Sequence, residues 1–188
     1  MSGDKKQADL TKQKREQSQA MIIEKLTAEQ VQARDRENYQ ITSLADEIRA
    51  DQLCALLLKQ FHLALLEKIK LDPLEAGSLA AGADYFLRDY LISNQLANIF
   101  DATAETVRRF AASWYILNNL EPNLTELRSL LKGVEAFYNY CAENDLIDRV
   151  QAAEIATACY DFAYYQERIE SFFAITGDGY RTWEEDGP

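Results

Sequence analysis

Catalytic and metal sites draw heavily on histidine, and this 188-residue chain holds one, His62. A single imidazole rules out several centres. A carboxylate-bridged di-iron bundle needs two Glu-x-x-His motifs. A His-Glu-x-x-His zinc centre needs a second histidine one turn away. A Cys/His zinc finger needs more ligands at close spacing. His62 lies among Phe61, Leu63 and Leu65, and it reads as a partly buried helix histidine. The chain has no Gly-x-x-x-x-Gly-Lys-Ser/Thr or Gly-x-Gly-x-x-Gly stretch to cradle a phosphate. No Gly-x-Ser-x-Gly elbow presents a nucleophilic serine.

The cysteines are Cys54, Cys141 and Cys159, an odd number at wide spacing. Each lies in a strongly helical stretch, where a buried thiol acts as a small apolar side chain. That usage points to a reducing, cytoplasmic setting without a disulfide framework. Cys54 cannot pair with His62 as nucleophile and base, because eight residues of helix separate them by about 12 Å. Carboxylates are plentiful. Asp145 with Asp148, and Glu184, Glu185 and Asp186, read as solvated charge, and the segment from Asp178 lacks the mid-loop glycine and closing Glu of an EF-hand. No catalytic residue, metal or cofactor is expected.

What remains is a recognition surface. The doublets Tyr164-Tyr165 and Phe172-Phe173 exceed the needs of one buried stripe. Adjacent helical positions point about 100° apart, so one of each pair can face away from the core. Tyr160, Tyr164, Tyr165, Phe172 and Phe173 therefore form the candidate partner surface, since aromatic side chains dominate binding hot spots. The competing reading is a broad core face that packs two neighbours.

These residues sit on helices. Only 7 glycines and 3 prolines punctuate the chain, too few for the turns of a sheet protein. Thr27 with Gln30 fits a capping box ahead of a short polar helix over about 28–38. Ser43 with Asp46 opens a Leu-rich helix to about Lys70. Asp72-Pro73 opens another, to about Ser93, with Gly77 and Gly82 inside it as points of close approach. A fourth helix starts at Asp101 or Thr103. Leu124, Leu127, Leu130, Leu131, Val134, Phe137, Tyr138 and Cys141 make the clearest amphipathic stripe. Asp148 with Gln151 opens a last long helix to about Ile175, and the segment after Gly177 trails off. Eighteen of the aromatics lie between Tyr85 and Trp183, so the main core belongs to the last four helices.

The expected fold is all-α, with five to six helices in a compact orthogonal-type bundle. The expected divisions are a polar N-terminal tail and short helix over 1–42, a single helical domain over 43–176, and an acidic tail over 177–188. The formal net charge is -11, which disfavours nucleic acid and anionic membranes and favours a basic partner. The ends differ in sign. Glu143 to Pro188 carries 11 acidic and 3 basic residues, and Met1 to Ser18 carries 5 basic and 3 acidic. The first residues have no apolar run after their lysines, so no secretory signal is expected.

TAETVRRFAASWYIL, followed by NLTELRSLLKGVEAFYNYCAENDLID, resembles the SAM-like core-binding domain of tyrosine recombinases (phage integrases), over about residues 79–148. Phe137-Tyr138 and Asn144-Asp145-Leu146-Ile147 occupy the family's aromatic pair and polar turn. The resemblance implies DNA contacts from Arg108, Arg109, Arg128 and Lys132. The family's catalytic domain has no counterpart, because its Arg…His-x-x-Arg/His…Tyr set needs more than His62. The segment from Ala80 to Ala142 has seven acidic residues against five basic ones, the reverse of what phosphate contacts require. The expected function is a non-catalytic protein–protein interaction or regulatory module, binding a protein partner or a second copy of itself. A DNA-associated accessory protein is the alternative, and a carboxylate-dependent enzyme a third.

Overall fold

A computed structural model describes residues 27–188. The expectations for the basic N-terminal tail fall outside the described residues. Residues 27–32 are helical, followed by a 3-10 turn at Arg36–Tyr39. Eight α-helices and no strands follow among the described residues, against the five or six expected.

α1 (Leu44–Ala64) begins where Ser43 accepts from the Asp46 backbone N–H. Hydrogen bonds from Thr42, Ser43 and Arg49 hold the Asp46 carboxyl well below the usual range. α1 buries Ala50, Leu53, Cys54, Leu57, Leu58 and Phe61, the three-and-four spacing of one helical face. It runs on as a π segment, Leu65–Ile69, and stops where Lys70 turns left-handed at φ 64°. α2 (Pro73–Asp84) has Asp72 as its cap and Pro at its start, and continues as a second π segment, Tyr85–Asn94. Thr103 and Thr106 cap each other's backbone at α3 (Ala104–Arg109). A third π segment, Phe110–Trp114, joins α3 to α4 (Tyr115–Asn118). α5 (Leu124–Glu143), α6 (Arg149–Cys159), α7 (Phe162–Phe173) and α8 (Tyr180–Glu185) complete the chain.

The central contact is α2 on α5. A Cβ built on Gly133 would lie 2.4 Å from the Leu79 carbonyl oxygen, and one on Gly82 would lie 2.8 Å from that of Leu130. The helices therefore meet backbone to backbone, which only glycine allows. Gly77 has no atom within 4 Å of its would-be Cβ, so it plays no part in that approach.

The second and third π segments face one another through rings. Phe110 lies 5.0 Å from Phe86 and 5.4 Å from Tyr90, and Trp114 lies 5.4 Å from Tyr85 and 5.3 Å from Tyr90. Each such pair adds about 1 kcal/mol beyond its buried area. Widening a helix by one residue per turn changes where its side chains point, and here two widened stretches interlock five aromatic residues.

One core takes in both flanks. Ala33 and Tyr39 precede α1 and are fully buried, and Trp183 in α8 is 5% exposed. The Tyr39 hydroxyl donates to the Ala33 carbonyl at 2.9 Å. The single long helix expected over 148–175 is two helices. Tyr160 and Asp161 leave helical geometry (Asp161 ψ 49°), and the chain turns between α6 and α7. The segment after Gly177 is not a trailing end: it forms α8. The polar helix expected to reach Asn38 instead gives way at about Gln32 to turns.

Candidate functional site

The nucleophile candidates lie inside the core. Cys54 and Cys141 are fully buried and Cys159 nearly so. Burial pushes the Cys159 thiol up to about 12, with Glu135 adding to the shift. Burial also pushes Cys141 and Cys54 upward, against a small opposing pull from Arg34 on Cys141. All three stay protonated near neutral pH, and a thiol without a thiolate is a poor nucleophile and ligand. His62 is partly buried, and its Nε2 has no hydrogen-bond partner. Among the described residues, no group of three or more His, Cys, Asp and Glu side chains is placed to hold a metal.

The five aromatic candidates divide. Tyr165 is not on the surface: it is fully buried, and its hydroxyl donates to the Ala158 carbonyl at 2.6 Å. That carbonyl, in the last turn of α6, also accepts from the Asp161 N–H at 3.3 Å. Tyr164 is half-buried beside it. Tyr160 is 54% exposed and donates to the Glu135 carboxylate at 2.7 Å. Phe172 is half-buried and Phe173 is 62% exposed.

Two further residues, Tyr180 and Trp183, join the second doublet. Their spacing of three on a Thr- and Glu-bearing segment is helical, and that was the available signal. Trp183 is buried, and its Nε1 donates to Ser171 Oγ at 3.0 Å and to the Arg168 carbonyl at 3.3 Å. Its ring lies 5.2 Å from Phe172 and 6.3 Å from Tyr180, and Phe172 lies 5.8 Å from Phe173. Four rings thus run from α7 to α8, exposed at both ends through Phe173 and Tyr180.

Arg168 fastens this patch from beneath. It is 6% exposed, its guanidinium lies 3.8 Å over the Trp183 ring, and its Nε donates to the Ala112 carbonyl of the third π segment at 3.2 Å. Burial lowers its pKa, opposed by Tyr164 and Asp186. Around the patch the surface charge is negative. Of the three basic residues after Glu143, Arg168 is buried and Arg181 pairs with Glu185 at 2.8 Å.

The basic candidates are mostly engaged. Arg108 lies 3.9 Å from Asp161, and Arg109 lies 3.1 Å from Glu105. Arg128 stacks 4.6 Å over Phe162. Arg128 and Lys132 both line a groove of about 630 Å³ between α2 and α5, but Asp72 and Glu75 line it too. Opposite charges in one groove weaken the field that phosphate would see. No helix among the described residues is long and apolar enough to cross a membrane. Comparison with known proteins finds no matching family model, no matching curated protein and no matching solved structure.

Proposed function

We propose that the chain is a non-catalytic protein-interaction module that docks a basic, apolar-anchored segment of a partner on the α7–α8 aromatic patch. The observation that carries the reading is the run Phe173–Phe172–Trp183–Tyr180, exposed at both ends and set in the acidic last quarter of the chain. Exposed rings beside a buried anchor supply hot-spot area, and the surrounding carboxylates favour Lys and Arg on the partner. The buried, protonated thiols fit a reducing, cytoplasmic setting.

The integrase-like reading stays second. Its support is the shared groove of Arg128 and Lys132, together with the resemblance of residues 79–148. We propose that α2 to α5 share the helix arrangement of that family, within a bundle of orthogonal type.

Fluorescence anisotropy with a labelled amphipathic Leu/Lys peptide separates the readings. The first expects saturable binding that weakens with added salt and falls at least about fivefold, roughly 1 kcal/mol, in Phe173→Ser and Tyr180→Ser. Unchanged binding in both variants overturns it. A gel shift of duplex DNA at low salt that is lost in Lys132→Glu favours the second.

A further inference from the structure

The last turns of α1 and α5 flank one cavity. The π segment Leu65–Ile69 widens α1, Lys70 reverses the chain, and the Leu71 N–H reaches back to the Leu65 carbonyl at 3.1 Å. The cavity has a volume of about 290 Å³. Its floor is aromatic: Phe61 and Tyr140 are buried, with ring centroids 5.5 Å apart. Leu65, Leu79 and Ala136 wall it. The Tyr140 hydroxyl is held from outside the lining by Arg34 at 3.2 Å.

The rim differs in kind from the floor. Lys68 on the α1 side and Glu143 on the α5 side both line the cavity, and both are exposed. Neither makes an ion pair or a side-chain hydrogen bond with any described residue. Both line one cavity, as an ammonium and a carboxylate that do not pair with each other. The Asn139 amide also lines the rim without a partner, and Asn144 Nδ2 donates to the Tyr140 carbonyl at 2.8 Å, which leaves its amide oxygen unused. An apolar hollow with a few convergent polar groups is the usual form of a small-molecule site. Here the polar groups carry one charge of each sign.

We propose that this cavity binds a free α-amino acid with an apolar side chain. The side chain enters between Leu71, Leu79 and Ala136, above the closed Phe61 ring; Lys68 takes the carboxylate, and Glu143 takes the ammonium. A ligand with one charge leaves half of this rim unmatched, and a neutral ligand leaves both charges unmatched. A cavity of about 290 Å³ gives room for a leucine- or phenylalanine-sized body. The site is separate from the α7–α8 patch, and it stands or falls independently of the proposed docking function.

The test is isothermal titration of the full-length chain with L-leucine and L-phenylalanine, beside 4-methylpentanoate, isoamylamine, N-acetyl-leucinamide and glycine. The expected result is saturable binding of the two apolar amino acids, with each analogue weaker by at least about fivefold. Lys68→Gln is expected to weaken leucine about fivefold and leave isoamylamine unchanged, and Glu143→Gln to weaken leucine and leave 4-methylpentanoate unchanged. Both rim residues are exposed, so these variants keep the fold. No saturable heat up to about 10 mM leucine overturns the proposal. So does equal affinity for leucine and 4-methylpentanoate, or leucine binding unaffected by both substitutions.

Discussion

Tyr165 adds a side-chain hydrogen bond to the boundary between α6 and α7. Its ring is in the core, and its O–H donates to the carbonyl of Ala158, in the last turn of α6. Tyr165→Phe leaves that carbonyl only backbone N–H partners, Asp161 at 3.3 Å among them, and is expected to cost about 1 kcal/mol in urea unfolding. The thiols make a second prediction at this scale. A free cysteine ionises near pH 8.5 in the unfolded chain, whereas burial raises Cys159 to about 12 in the fold. A raised pKa on an acid means that the stabilisation is fully present below the unfolded value and fades as pH climbs toward the folded one. The urea midpoint should therefore hold steady from neutrality to about pH 8.5 and fall above it. A midpoint that rises over that range contradicts the placement of the thiols. Ellman's reagent should leave all three cysteines unmodified in the native protein and label them after unfolding.

The elements rest on the contact of α2 with α5. Gly133→Ala puts a methyl 2.4 Å from the Leu79 carbonyl oxygen, so the two helices must separate. The expected loss is about 2–3 kcal/mol, comparable to overpacking a core. Gly77→Ala, with open space around it, should instead stabilise by about 0.5–1 kcal/mol. Thermal melts of the two variants should shift in opposite directions. The sequence shows α5 plainly, because Leu127, Leu131, Val134, Phe137 and Cys141 repeat at helical spacing and all are buried. It shows the caps too: Ser43, Asp72, Thr103 and Asp148 each cap a helix as their types suggest. The π segments leave no comparable trace, because one extra residue in a turn shifts the hydrophobic phase without breaking it. The turn at Tyr160-Asp161 contains neither glycine nor proline. Local bonds close it: the Phe162 N–H to the Tyr160 carbonyl at 2.7 Å and the Tyr165 hydroxyl to the Ala158 carbonyl, neither of which periodicity registers.

Across the whole molecule, the uneven charge and the uneven exposure of rings coincide. The last 46 residues carry most of the excess acid, and they also carry Tyr160, Phe173 and Tyr180, the large aromatics left exposed. The doublets were legible as a surface only in part. Phe173 faces out, but Tyr165 faces in, and Tyr180 and Trp183 could be placed only once α8 folds back on α7. The direct test of the account is a two-dimensional amide NMR titration of the labelled protein with the amphipathic Leu/Lys peptide. Saturable shifts concentrated on α7 and α8 around Phe173 and Tyr180 are expected, reduced by salt and moved to at least about fivefold higher peptide concentration in Phe173→Ser. Shifts that instead cluster on α2 and α5 near Lys132, or that appear nowhere in the protein, contradict it.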